Sequence, residues 1–195
     1  MDNSFGISIF LAALPAAIAA LASIVVAIVS MCQTRNIYKN DQKRRDNEKI
    51  VEEAKQKLKT FYYPYLLIAK ENTSLYKVFS QEHLAEDENY RTLTSLLSGK
   101  VFSENDSALL EQIIENDCRL RDLINKHADV VDDDSIRNKL VESATHYAII
   151  ELAFKKKISG EVERFKPYVH PNDVYDLVEE KAKKLEKEIE DAIVQ

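Results

Sequence analysis

Ile50–Ser80 reads IVEEAKQKLKTFYYPYLLIAKENTSLYKVFS. Apolar residues recur in it at Ile50, Val51, Ala54, Leu58, Phe61, Tyr65, Ile68 and Ala69. Steps of three and four place them along one face of a helix. Pro64 falls inside the pattern. It has no N–H for the carbonyl four residues back, and its ring crowds that carbonyl. The stretch therefore predicts a helix with a bend or break near Thr60–Pro64, continuing to about Ser80. No part of the chain alternates convincingly at period two, so the predicted fold is all-α. Composition agrees. Three Gly and four Pro in 195 residues are too few for the turns of an all-β sandwich. They also exclude a collagen-like or Gly/Pro-rich disordered chain. Two cysteines cannot make a disulfide framework.

Upstream, residues 36–60 are polar, carry more Lys and Arg than Asp and Glu, and contain no Gly or Pro. They read as a basic helical stalk. Before them, Phe5–Cys32 is FGISIFLAALPAAIAALASIVVAIVSMC, and no charged residue lies between Asp2 and Arg35. About 20 apolar residues cross a hydrocarbon core of roughly 30 Å, so residues 1–35 suit one tilted transmembrane helix. The leading MDNS has no Lys or Arg, unlike the basic start of a cleaved signal peptide. Arg35, Lys39, Lys43, Arg44, Arg45 and Lys49 follow the span. The positive-inside bias then places the N-terminus outside and the C-terminal domain in the cytoplasm, at the inner membrane. These bases also suit anionic lipid headgroups. Ala12, Ala16, Ala19, Ser23, Ala27 and Ser30 share one helical face. Small residues let membrane helices approach closely, which favours a homo-oligomer. Pro15 adds a kink. Ala12, Pro15, Ala16, Ser23, Ala27 and Ser30 are thus the candidate packing or pore residues. No charge inside the span marks an ion path.

Downstream, Gln81–Asn89 reads as an acidic loop. Tyr90, Leu93, Leu96 and Leu97 make a short helix that Gly99 closes. Ser103 with Asp106 resembles a capping box. It opens a helix whose stripe runs from Leu109 to Ile124 and ends near Ala128. Asp132–Ser135 signals the next start, with a helix to about Lys157 that Ser159–Gly160 ends. Glu161–His170 reads as irregular or one short turn. Asn172, after Pro171, caps a last helix striped by Val174, Val178, Ala182, Leu185 and Ile189. Residues 61–195 thus form a cytoplasmic bundle of four to five helices.

No phosphate-binding glycine loop, nucleophile elbow or zinc-protease motif occurs, so neither an enzyme nor a cofactor is expected. His83, His127, His146 and His170 do not pair at three- or four-residue spacing, and no metal site is expected. Three groups are candidate ligand contacts. Tyr62, Tyr63 and Tyr65 crowd around Pro64, with rings that can pack across helices or stack on bases. His146 adjoins Tyr147. Lys155, Lys156 and Arg164 form a local basic group in a chain of net charge −6, fit for an anionic ligand or for acids of a neighbouring subunit. So acidic a domain excludes duplex nucleic acid.

Several short motifs follow one another in a recognisable order. Phe61-Tyr62-x-Pro64 is followed by Tyr90-Arg91-Thr92-Leu93, Leu109-Leu110-x-x-Ile113, His127-Ala128-Asp129, His146-Tyr147 and Phe165-Lys166-x-Tyr168-Val169-x-Pro171. The layout resembles small bacterial single-pass membrane effectors of antiphage defence, the Hailong-type membrane effector in particular. The resemblance implies an oligomeric channel controlled by a nucleic-acid oligomer that a partner nucleotidyltransferase-like enzyme makes. It carries over no ligand residue. The expected function is an oligomeric membrane effector, a ligand- or partner-gated pore of an abortive-infection system. Its ligand would be a small nucleotide or single-stranded oligonucleotide. The alternative is a passive membrane-anchored protein that holds a cytoplasmic partner at the inner membrane.

Overall fold

The structure is a computed structural model. It describes the backbone of residues 3–168 and 173–194, and the side chains within these except at 3–22, 24, 25 and 128. Every regular element among the described residues is helical, as the missing period-two pattern requires. The elements are α1 (Asn3–Lys57), a π-helical turn (Leu58–Tyr62), α2 (Tyr63–Glu86), α3 (Thr92–Leu97) and α4 (Glu104–His127). After a 3₁₀ turn (Ala128–Val130) come α5 (Asp134–Phe154), α6 (Val162–Phe165), a second 3₁₀ turn (Lys166–Tyr168) and α7 (Val174–Val194). The chain divides into two compact units, residues 1–49 and 50–195.

The first unit is the helical backbone of α1 up to Lys49. Ala12, Pro15 and Ala16 of the candidate packing face lie outside the described side chains, whereas Ser23, Ala27 and Ser30 are exposed. The Ser30 carbonyl accepts the Thr34 hydroxyl at 2.8 Å. Val26, Ile28, Val29 and Met31 are also exposed. Among the described residues no helix is long and apolar enough to cross a membrane.

In the second unit there is no break near Thr60–Pro64, and the helical backbone runs on through a π turn. The Tyr63 N–H reaches back five residues to the Leu58 carbonyl, and Pro64 occupies the first turn of α2, where a missing N–H costs least. The wider turn lets two adjacent rings face inward. Phe61 and Tyr62 are both fully buried, packed edge to face at 5.3 Å, and Phe61 stacks on Tyr65 at 5.6 Å.

Two apolar clusters hold the bundle. Ala54, Leu58, Phe61, Tyr62 and Tyr65 pack with Leu120, Ile124, Ile136, Leu140, Val178 and Leu185. Phe79 packs with Tyr90, Leu93, Leu97, Leu110, Ile113, Ile114, Ile150 and Ala153. The early part of α2, the late part of α4 and the early part of α5 join the first cluster. The opposite ends join the second, so the three helices alternate in direction. Each large side chain buried here contributes about 1.5–3 kcal/mol.

Three helix ends follow their sequence signals. At the end of α3, Gly99 has φ +76°. Its N–H meets the Leu96 carbonyl, and the Lys100 N–H meets that of Ser95, the pair of bonds that closes a Schellman motif. Ser103 Oγ accepts the Asp106 N–H at 3.1 Å. Asp133 accepts the N–H groups of Ser135 and Ile136. Two ends differ from expectation. Gln81–Glu86 is the last part of α2 and not a loop, because buried His83 packs between Phe79 and Tyr90 at 5.1 and 4.7 Å. α5 stops at Phe154, before Ser159–Gly160, because Lys156 turns left-handed at φ +56°. Gly160, at φ +69°, instead ties its loop to α3 through the Leu97 carbonyl at 2.8 Å. The Pro171–Asn172 cap lies outside the described residues.

Candidate ligand-binding site

Helices α2, α4 and α5 each turn a short stripe toward one interior space. Tyr65, Ala69 and Asn72 come from α2, Ile113, Asp117 and Leu120 from α4, and His146, Tyr147 and Ile150 from α5. Steps of three and four residues put each set on a single face. Thr92 and Leu93 of α3, Phe165 of α6, Lys166, and Val174 and Tyr175 of α7 complete the lining. The cavity measures about 570 Å³, within the range of small-molecule sites.

Its walls are mostly apolar and aromatic, with a few polar groups. Asn72 Nδ2 donates to Asp117 Oδ1 at 2.7 Å. Asp117 is 4% exposed. Burial pushes its carboxyl up to about 8 against the opposing pull of the Asn72 amide, so near neutral pH it is a protonated acid. Among the described residues no cationic side chain bonds to it. The Asn72 carbonyl oxygen is buried without a hydrogen-bond partner. The hydroxyls of Tyr65 and Tyr147 are hydrogen-bonded to each other, and burial raises both phenols. His146 is half-buried. Its Nδ1 lies 2.7 Å from the Tyr168 carbonyl, an acceptor only, so Nδ1 carries the proton. Burial lowers the imidazole's proton affinity against that hydrogen bond.

Of the residues singled out from sequence, Tyr65 and His146 meet in this cavity. Tyr62 is buried in the core with its hydroxyl unpartnered. Tyr63 points outward and donates to Glu186 Oε1 at 3.0 Å. The basic group is spent on acids one turn away. Lys155 pairs with Glu151, which also takes Arg121 at 2.7 Å; together these two cations hold the Glu151 carboxyl down to about 2. Arg164 pairs with Glu161 at 2.9 Å. Lys156 is the left-handed residue that ends α5. None of these three lines the cavity.

Sequence reasoning missed Asn72 and Asp117. Asp117 left a signal. It sits four residues after Ile113 and three before Leu120, an acid in the middle of an apolar stripe. Asn72 gave a weaker one, seven residues beyond Tyr65 on α2. Among the described residues no group of three His, Cys, Asp or Glu is placed to hold a metal ion. No protein family, no curated protein sequence and no solved structure matches this chain.

Proposed function

We propose that the chain is an oligomeric membrane effector. In this reading Phe5–Cys32 anchors it in the inner membrane, the helical domain is cytoplasmic, and a ligand entering the domain biases the assembled spans between closed and open. Opening would depolarise the membrane and arrest an infected cell. The observation that carries the reading is the cavity of about 570 Å³ with its buried Asn72–Asp117 pair. A bundle that only held a partner at the membrane would need an outer face and no furnished interior. A ligand shifts a conformational equilibrium only through differential affinity for its states. A route for such a difference exists, because Tyr65 and Ala69 line the cavity and pack in the same core as Ala54 of α1 and Leu58 of the π turn.

The test is ion flux from proteoliposomes holding the full chain. Nucleotides and short single-stranded oligonucleotides, which the resemblance implies, are tried beside small organic amines. Flux should require a ligand and should vanish when the cavity is filled by Ala69→Phe. Suppose instead that no bound ligand ever produces flux, and that an unrelated single-pass helix replaces the span without loss of phage protection. The passive-anchor reading then takes its place.

A further inference from the structure

We infer that the cavity recognises an organic cation, a ligand carrying a protonated amine on an apolar or aromatic body, with Asp117 as its counter-ion and the Asn72 carbonyl as a second acceptor. The inference rests on the cavity being a ligand site and specifies what enters it.

The site sets an unmatched acceptor beside a buried acid. Asp117 is 4% exposed and bonds to Asn72 Nδ2 at 2.7 Å. No cation offsets it among the described residues. Asn72 Oδ1 is buried with no donor. One oxygen without a donor, Asn72 Oδ1, thus adjoins the Asp117 carboxyl in a space walled by rings, among them Tyr65, Tyr147, Phe165 and Tyr175. Ring faces attract cations. An ammonium group supplies three donors and no acceptor, so it would satisfy that oxygen and pair with the carboxyl while its body filled the apolar walls. An ionised phosphate or carboxylate has no donor for the Asn72 oxygen and would set a second acid beside Asp117.

The charges around the site agree. Lys166 lines the cavity but pairs with Glu163. Arg91 also lines it, with its Nη1 turned to the Tyr90 carbonyl at 2.8 Å. The ionisable groups beside Asp117 are Tyr65 from α2 and Tyr147 from α5, and His146 and Tyr175 also line the cavity. Burial favours the uncharged form of Tyr65, Tyr147 and His146. With the cavity empty, Asp117 also keeps its proton. An arriving ammonium would expel that proton and form an ion pair.

Binding of 1-naphthylmethylamine to the purified full chain in detergent, by calorimetry, tests this directly. The neutral isostere 1-naphthylmethanol and AMP are run beside it. The amine is expected to bind with proton release, read as a heat that depends on the buffer's ionisation enthalpy. Its affinity should rise about tenfold per pH unit from pH 6 to 7.5 and level off above 8. Asp117→Asn should weaken the amine by at least about tenfold and abolish the proton release, with the alcohol unaffected. Equal or tighter binding of the alcohol or AMP in this cavity, sensitive to Ala69→Phe, would overturn the cation and leave the cavity as a ligand site. If none of the three binds, the organic-cation inference falls, and the ligand-gated reading is decided by the flux test above.

Discussion

Asn72 of α2 and Asp117 of α4 lie 45 residues apart and meet at 2.7 Å through an amide N–H and a carboxyl oxygen. The contact joins the helices across the cavity, yet it is a poor match for a charge. One amide donor cannot replace the water that an ionised carboxyl loses on burial. The group responds by holding its proton.

A pH signature follows from that pairing. The Asp117 carboxyl rises from an ordinary 3.8 to about 8 on folding. Between those values the folded chain keeps a proton that the unfolded chain has lost. Its contribution to stability is therefore whole below pH 4 and is lost as pH rises toward 8. The slope is up to about 1.4 kcal/mol per pH unit, levelling off beyond. Asp117→Asn preserves the shape and removes the titration. Urea midpoints of the two proteins should converge near pH 4 and separate toward pH 9, with the variant the more stable. Parallel curves from pH 5 to 9 would show that Asp117 is ionised throughout.

Asp132 behaves in the opposite sense. Lys57 at the end of α1 and Lys181 of α7 each approach one of its oxygens to 2.9 Å. Burial works against ionisation here, but the two lysines outweigh it and hold the carboxyl down to about 2. This contribution is present above the ordinary 3.8 and is lost as pH falls through 2. Asp132 is half-exposed, so solvent screening leaves the network worth about 1 kcal/mol. Asp132→Asn should lower stability by that amount at pH 7. The loss should shrink in 1 M salt and vanish near pH 2. A salt-independent deficit would mean that the side chain acts through packing.

How much was legible depended on whether the cause was local. Gly99, Ser103 and Asp133 end or start helices through their own backbone preference or side-chain oxygen, and each stands where its sequence pointed. Gln81–Glu86 looked like a loop because its composition is acidic and polar. Buried His83, packed between Phe79 and Tyr90, decided otherwise, and such contacts between distant residues leave no short-range pattern. Lys155 and Arg164 looked available for an anion because their neighbours Glu151 and Glu161, four and three residues earlier, went unmatched. Tyr65 lines the cavity because apolar spacing places it on an inward face, and His146 lines it beside Tyr147. The Asn72–Asp117 pair needed the register between α2 and α4, which only the packed structure supplies.

Lys156 makes the case for strain. Its φ of +56° closes α5, with its N–H on the Ala153 carbonyl and the Lys157 N–H on that of Leu152. A left-handed conformation costs a residue with a Cβ roughly 1 kcal/mol, and glycine is the usual occupant of this position. The side chain is exposed and away from the cavity. Lys156→Gly should raise stability by about 0.5–1 kcal/mol and leave ligand binding unchanged. A weaker ligand affinity in this variant would return Lys156 to the binding surface.

The proposed span can be probed through its small-residue face. Leu at Ala16 or Ser23 would hold neighbouring helices apart, because association in lipid depends on close packing. Crosslinking of the full chain in membranes should show the higher oligomers lost in Ala16→Leu and Ser23→Leu and kept in Leu21→Ile. Identical ladders for all three would place the subunit contacts elsewhere.

The π turn between α1 and α2 has two candidate causes, and their magnitudes separate them. Pro64 removes one helical hydrogen bond, worth about 1 kcal/mol. The turn also buries Phe61 and Tyr62 together, and each ring is worth about 1.5–3 kcal/mol. Packing should therefore hold the turn once the proline is gone. Pro64→Ala is expected to change stability by less than about 1 kcal/mol and to keep slow amide exchange across Leu58–Tyr65. Tyr62→Ala should cost about 3–5 kcal/mol through the cavity it leaves and let the segment relax toward a regular helix. Tyr62→Phe isolates the hydroxyl, which is buried without a partner. Its removal should be neutral or stabilising by about 1 kcal/mol. If Pro64→Ala alone straightens the helix and exposes one of the two rings, the proline sets the turn and the rings follow it.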